Sequence, residues 1–177
     1  MKNPFFLFIL AILTMGLFVT SNVRAEDDPQ ALPQRQPQAQ PQAPSAVGRI
    51  SVIHGDVSIM HGDAGESVAG TVNTPVVPGD KVTTRDQSRA EVQLDFANVM
   101  RLDQRTEATA ADLEQNKIQI RLASGLVDFS VLSGTQADVE IDTPNMGVHP
   151  LAPGIYRIQV NSLSETLLIV RRAKRKS

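Results

Sequence analysis

Cysteine and tryptophan are absent from this sequence of 177 residues, and tyrosine occurs once. Without cysteine the chain forms neither a disulfide framework nor a thiolate metal site. Aromatic residues make up only 4% of the chain, which is little stacking surface for a protein that grips single-stranded bases. The net charge of -2 provides no global field for nucleic acid or anionic lipid. We therefore expect no nucleic-acid partner and no cofactor.

Long hydrophobic runs are also lacking. The apolar segment at residues 5–19 is shorter than the roughly 18 residues of a spanning helix. It follows a short basic start and precedes small residues at a cleavage site between Ala25 and Glu26. The pattern predicts a signal peptide over residues 1–25 and a periplasmic or secreted location for the rest. The alternative is an uncleaved N-terminal anchor, and only in that case do we expect membrane contact.

Residues 26–46 are rich in proline and glutamine and carry almost no aliphatic side chains. Such a composition cannot offset the entropy of ordering, so it predicts a disordered, extended spacer of polyproline II character. The alternative is a proline-rich docking peptide, which usually carries a basic anchor within its repeats. The linker interpretation is preferred on composition.

The composition of the chain changes at residue 47, where the proline- and glutamine-rich segment ends. Short alternating segments follow at intervals of about ten residues, separated by glycine or proline, which is typical of an all-β domain. Residues 76–102 illustrate the pattern, since a Pro-Gly-Asp turn leads into an apolar set of alternate positions at Ala90, Val92, Leu94 and Phe96. Ser124 with Gly125 predicts a turn between two further strands. Only residues 106–114 could begin a helix, with an irregular strand as the alternative.

Six segments occur in a characteristic order: 48–57 (GRISVIHGDV), 77–84 (VPGDKVTT), 88–94 (SRAEVQL), 99–102 (VMRL), 120–127 (IRLASGLV) and 141–144 (IDTP). This succession resembles the FecR domain family over about residues 48–170. The positions that match the family motifs are Gly79, Asp80, Thr84, Ala90, Leu94, Gly125, Thr143 and Pro144. The resemblance implies a twisted, β-solenoid-like or sandwich-like stack of short strands over residues 47–170, followed by a basic tail at 171–177.

Members of that family include sensors that relay the state of a TonB-dependent transporter to a sigma factor through a cytoplasmic anti-sigma region. Only about four residues precede the apolar segment here, so we expect an exported, stand-alone FecR-domain protein instead. Relatives usually continue with further strands where this sequence enters its basic tail. We therefore expect a shortened chain with an unpaired sheet edge near residues 166–170.

Two His-Gly-Asp copies are the one metal-like feature, and their candidate ligands are His54, Asp56, His61 and Asp63. Imidazole with carboxylate suits zinc or a similar ion. A protein site needs three or four ligands, and Gly-Asp is ordinary turn chemistry. We therefore predict no metal site.

Four aspartates in the central stretch are the nearest approach to paired catalytic carboxylates: Asp80, Asp86, Asp95 and Asp103. Because they alternate with apolar positions, we interpret them as a solvated face, and we expect no enzyme activity. The basic tail is interpreted as a solvated end, with contact to phosphate groups or anionic lipid as the alternative.

These observations predict an exported, non-catalytic domain that binds an unidentified envelope protein or cell-wall polymer through strand edges or an exposed face. The alternative is a periplasmic accessory in signalling between a TonB-dependent transporter and a sigma factor.

Overall fold

The computed structural model describes residues 46–62 and 65–172, which belong to residues 39–177, one of the two units of the chain. The predicted signal peptide, nearly all of the linker and residues 173–177 lie outside this part. The strands are β1 (Gly48–His54), β2 (Val57–Met60), β3 (Ser67–Ala69), β4 (Pro75–Val76), β5 (Lys81–Thr84), β6 (Arg89–Gln93), β7 (Asn98–Leu102), β8 (Glu107–Glu114), β9 (Lys117–Val131), β10 (Asp138–Asp142), β11 (Gly147–Val148), β12 (Gly154–Ser162) and β13 (Glu165–Arg172).

The described residues contain strands and no helix, which confirms the predicted all-β class. The same residues accordingly include no helix suited to crossing a membrane. The strands join in one sheet that curls into a half-barrel, with the main order β3-β2-β5-β8-β9-β7-β6-β1-β4. Every described pairing is antiparallel except that of β9 with β10. The expected stack of short strands therefore takes the form of a single curled sheet.

Strand β9 connects the two halves of this sheet. Its residues 117–124 pair with β8 and its residues 125–131 pair with β7 and β12. The predicted turn at Ser124 and Gly125 is wrong, since a single strand of 15 residues passes through this point. It bends there instead, because Gly125 adopts a φ of 87°, which glycine tolerates without a Cβ penalty.

Buried side chains from most of the strands form one hydrophobic core. Each buried aliphatic or aromatic side chain contributes roughly 1.5–3 kcal/mol relative to exposure. The largest fully buried side chains are Phe129, Ile50, Ile59, Met100, Leu102, Leu113, Ile118, Ile120, Leu122, Ile141, Ile158 and Val76. Because alternate residues of strands such as β2, β5 and β6 enter this core, the charged residues between them point outward.

The helix alternative for residues 106–114 is wrong, and the irregular strand is found as β8. It is hydrogen-bonded on both edges, to β5 and to β9, with register shifts at Glu107/Ala108 and Ala110/Asp112. Pairing on two sides satisfies more of its backbone groups than an isolated short helix of this length could. Tertiary pairing therefore decides the structure of a segment whose local signals are weak.

Phe96 does not continue the apolar face of β6. That strand ends at Gln93, and Phe96 is 69% exposed. The reason lies in the turn, where the Asp95 carboxylate accepts the backbone N–H groups of Ala97 and Asn98 at 2.7 and 2.6 Å. The turn that Asp95 organises sends the aromatic ring out to solvent.

Candidate functional site

The motif residues Gly79 and Asp80 form a turn that is fastened to β8. The Asp80 carboxylate is 1% exposed, lies 3.0 Å from His61 Nδ1, and accepts the Val77 N–H at 3.0 Å. The N–H of Gly79 donates to the carbonyl of Ala110 at 2.7 Å, and the Ala110 N–H donates to the Asp80 carbonyl at 2.9 Å. The interpretation of Asp80 as part of a solvated face is therefore wrong, because backbone and imidazole donors satisfy its charge inside the turn.

A second set of polar groups holds the bend of β9. The Thr84 hydroxyl accepts the Thr106 N–H at 3.0 Å, and the Thr106 hydroxyl accepts the Leu126 N–H at 3.0 Å. Gly125 lies against this group, and a Cβ added there would come within 2.5 Å of the Arg105 carbonyl oxygen. The motif residues Thr84 and Gly125 thus meet at one junction. Thr106 completes the junction and was missed, since a threonine before an alternating segment has no distinctive sequence signal.

The remaining motif residues are structural as well. Ala90 and Leu94 are buried in the core. Thr143 opens a turn with Pro144, and its hydroxyl accepts the Met146 N–H at 3.2 Å and donates to the Met146 carbonyl at 2.9 Å. The family motif therefore describes how the scaffold is built, and it identifies no reacting group.

The two His-Gly-Asp copies lie at opposite ends of β2. At about 3.3 Å per residue the strand separates the two copies by more than 10 Å, and His61 is already engaged with Asp80. Asp56 lies 4.0 Å from the guanidinium of Arg85, a cation that opposes metal binding there. Asp63 lies outside the described residues. Within residues 46–62 and 65–172 no group of three acidic or histidine side chains is placed to hold a metal ion.

The other central aspartates have separate structural partners. Asp86 lies 3.5 Å from Arg105 on the surface. Burial alone would raise the pKa of Asp103, but a hydrogen bond from Arg89 at 2.9 Å and one from the Gln104 backbone outweigh it, so the pKa is lowered. A carboxylate with a lowered pKa remains ionised at neutral pH and is a poor general acid. The described contacts of the four central aspartates are with cations, an imidazole or amide N–H donors, and none of those contacts joins one of the four to another.

A cleft of about 440 Å³ opens at the β6–β7 turn and is the strongest candidate for binding. Its apolar floor is formed by Leu94, Leu113 and Ile118, and the exposed ring of Phe96 stands at its rim. Carboxylates and amides complete the lining, at Asp95, Glu114, Gln115 and Gln136. An apolar floor with a polar rim is the usual composition of a ligand site. This cleft could not be detected by sequence reasoning, because its lining residues come from four separate segments.

The β12–β13 hairpin is the second candidate. Among the described strands, β13 pairs only with β12, so its other edge is open. Leu167 and Ile169 are 48% and 40% exposed on its outer face. The predicted unpaired edge near residues 166–170 is present, and the strand continues through Arg172, two residues into the predicted basic tail.

One family model matches the chain, and two further comparisons found no match. The model of the FecR protein family matches residues 80–169, which is about half of the chain and includes the turn at Asp80, the bend at Gly125 and most of the β12–β13 hairpin. No curated protein and no solved structure matches the chain significantly.

Proposed function

Because the chain belongs to the FecR protein family, we propose that it is an exported, non-catalytic module that binds another protein of the cell envelope. Export is supported by the apolar segment at residues 5–19 and the small residues before Glu26. The proline-rich residues 26–46 would act as a spacer that holds the folded part away from its point of attachment or secretion.

The cleft beside Phe96 is the observation that carries the binding proposal. A large aromatic side chain that is 69% exposed beside an apolar cleft of about 440 Å³ is a feature of recognition sites, where aromatic anchors dominate the binding energy. The rim carries the carboxylates of Asp95 and Glu114. We therefore expect the partner to insert an extended segment with aliphatic and basic side chains.

Site-specific photo-crosslinking tests this proposal in the intact envelope. A photoreactive phenylalanine analogue placed at position 96 should give one adduct of discrete mass. The matched control places the same analogue at Leu151. This residue is 93% exposed and does not line the cleft. Equal labelling at both positions, or no adduct at position 96, would contradict the proposal.

The Phe96→Ser variant provides an independent readout. Because the ring is largely in water, the substitution should change the free energy of unfolding by less than about 0.5 kcal/mol. We expect Phe96→Ser to abolish co-purification of the envelope protein that is crosslinked from position 96. Leu151→Ser should still co-purify with that protein. Retention by both variants would place the binding surface elsewhere.

A second candidate function is that of a periplasmic accessory in signalling between a TonB-dependent transporter and a sigma factor, and family membership favours it. It predicts direct binding of the purified protein to the periplasmic signalling domain of such a transporter. Isothermal titration calorimetry with that domain tests the prediction. Absence of binding heat would reject this candidate and leave the cleft proposal unaffected.

A further inference from the structure

Strand β13 lacks the usual protection of an edge strand. Natural edge strands carry central charges, prolines or bulges that prevent pairing with another chain. In β13 the residues 166–170 (Thr-Leu-Leu-Ile-Val) contain none of these. Its described charges lie at the ends, with Glu165 at the start and Arg171 and Arg172 at the finish.

The charges at the two ends of β13 have opposite signs, so two antiparallel copies of the strand can bring opposite charges together. When two copies of one strand pair antiparallel about a two-fold axis normal to the sheet, outer faces meet outer faces, so a residue can oppose only residues of its own face. A pairing centred on Leu168 then places Glu165 opposite Arg171 of the second copy. It also places Leu167 opposite Ile169 of the second copy.

Neighbouring registers lose this match. A shift by two residues in one direction places Glu165 opposite an isoleucine, and a shift in the other direction places it beyond Arg172. A shift by one residue would turn the apolar outer face of one copy toward the inner face of the other. The charges therefore select a single register out of those that symmetry permits.

We propose that the open edge of β13 is a self-association surface and that its partner is a second copy of this chain. Two Glu165–Arg171 pairs and two Leu167–Ile169 pairs form in each dimer, because the contact is isologous. The sheet of one copy continues into that of the other through main-chain hydrogen bonds. This surface is distinct from the Phe96 cleft, so dimerisation and partner binding are separable.

Charge reversal tests both the dimer and its register. Sedimentation equilibrium of the purified protein over a concentration series should show a monomer–dimer equilibrium. Glu165→Arg and Arg171→Glu should each weaken it about tenfold or more, since each change turns two attractive cross-strand pairs into two repulsive ones. The double variant should recover affinity to within about threefold of the original protein, because both pairs are restored with their signs exchanged.

Three outcomes would overturn the proposal: a protein that stays monomeric throughout, a dimer that the single reversals leave unchanged, or a double variant that fails to recover. Glu66→Arg is the matched control, since Glu66 is exposed in the loop before β3 and the charge change is the same. It should leave the dimer unchanged. Weakening equal to that of Glu165→Arg would assign the effect to net charge and contradict the proposal.

A single cysteine gives a structural check, because the chain has none of its own. In the proposed register Leu168 of one copy lies opposite Leu168 of the second copy. Their Cα atoms are separated by roughly 4.5–5.5 Å, which is within disulfide range. Leu168→Cys should therefore form a covalent dimer under mild oxidation. Leu151→Cys should form it much more slowly, and equal rates would contradict the register.

Discussion

The bend of β9 and the β12–β13 hairpin are neighbours in the sheet but differ in how their polar groups are used. At the bend, threonine hydroxyls satisfy backbone N–H groups within the chain, and Gly125 leaves no room for a side chain. On the hairpin, one whole edge of β13 is without a described partner and aliphatic side chains face solvent. The motif residues at the bend therefore act inside the scaffold, whereas the proposed self-association uses the edge that the scaffold leaves open.

The largest expected effect is at the bend. Gly125→Ala should lower the free energy of unfolding by about 3 kcal/mol or more, because it combines a φ of 87° with backbone overlap at Arg105. Urea denaturation followed by circular dichroism measures the loss. Gly134→Ala is the control, since Gly134 has a φ of 96° but an added Cβ would make only an ordinary contact with the Phe96 ring at 3.8 Å, and it should cost about 1 kcal/mol. Equal costs at both glycines would show that overlap at the bend is unimportant.

A smaller loss is expected from the hydroxyl beside that glycine. Thr106→Val keeps the side-chain shape but leaves the partly buried N–H of Leu126 without its side-chain acceptor, which should cost about 1–2 kcal/mol. The midpoint of urea unfolding measures it. Thr109→Val changes a partly exposed threonine of the same strand and should have little effect. If the two variants have the same midpoint of urea unfolding, the Thr106 hydroxyl does not stabilise the bend.

The hairpin should respond in the opposite manner. Leu167→Thr should change the free energy of unfolding by less than about 0.5 kcal/mol, because the leucine is nearly half exposed and threonine is favoured in strands. The same variant should weaken self-association, measured by sedimentation. If Leu167→Thr instead lowered the stability strongly and left self-association unchanged, β13 would act in stability and not in association, which would contradict the prediction.

The smallest expected effect concerns ionisation at Asp103. Arg89→Gln removes the hydrogen bond that lowers the pKa of this carboxyl, so its pKa should rise, as followed by NMR titration of the carboxyl carbon. A lowered folded-state pKa stabilises the protein at pH values above the unfolded pKa, and this contribution is lost as pH falls through the folded value. As the pH falls, the Arg89→Gln variant should therefore lose less stability than the original protein loses. Arg157→Gln should produce a smaller pKa change, because Arg157 makes a weaker, purely coulombic contribution.

Regular alternation allowed much of the fold to be predicted from the sequence. The buried positions Ile118 and Ile120 in β9, and Ile158 in β12, follow directly from the period of two. The open edge of β13 was also predictable, since the last apolar segment ends in a run of charge. Pairings such as β1 with β6 were not predictable, because their partners are separated by about forty residues and the strands carry no register signal.

The candidate site was mostly hidden from sequence reasoning. Asp80 and Asp86 were both interpreted as part of a solvated face, yet one is buried in a turn and the other lies on the surface. Phe96 matched the apolar alternation, and only the hydrogen bonds of Asp95 show why it faces solvent. Side-chain capping of turns thus overrode the periodic pattern at the cleft.

The sharing of β9 between both halves of the sheet has a kinetic consequence. The half that contains β8 needs β9 only to residue 124, whereas the half that contains β7 needs it to Val131, and β12 must then return to pair with residues 125–131. Closing such distant partners costs loop entropy before many contacts form, so folding should be slow for a domain of this size. In a nascent chain the pairing of β12 and β13 should therefore complete the sheet last.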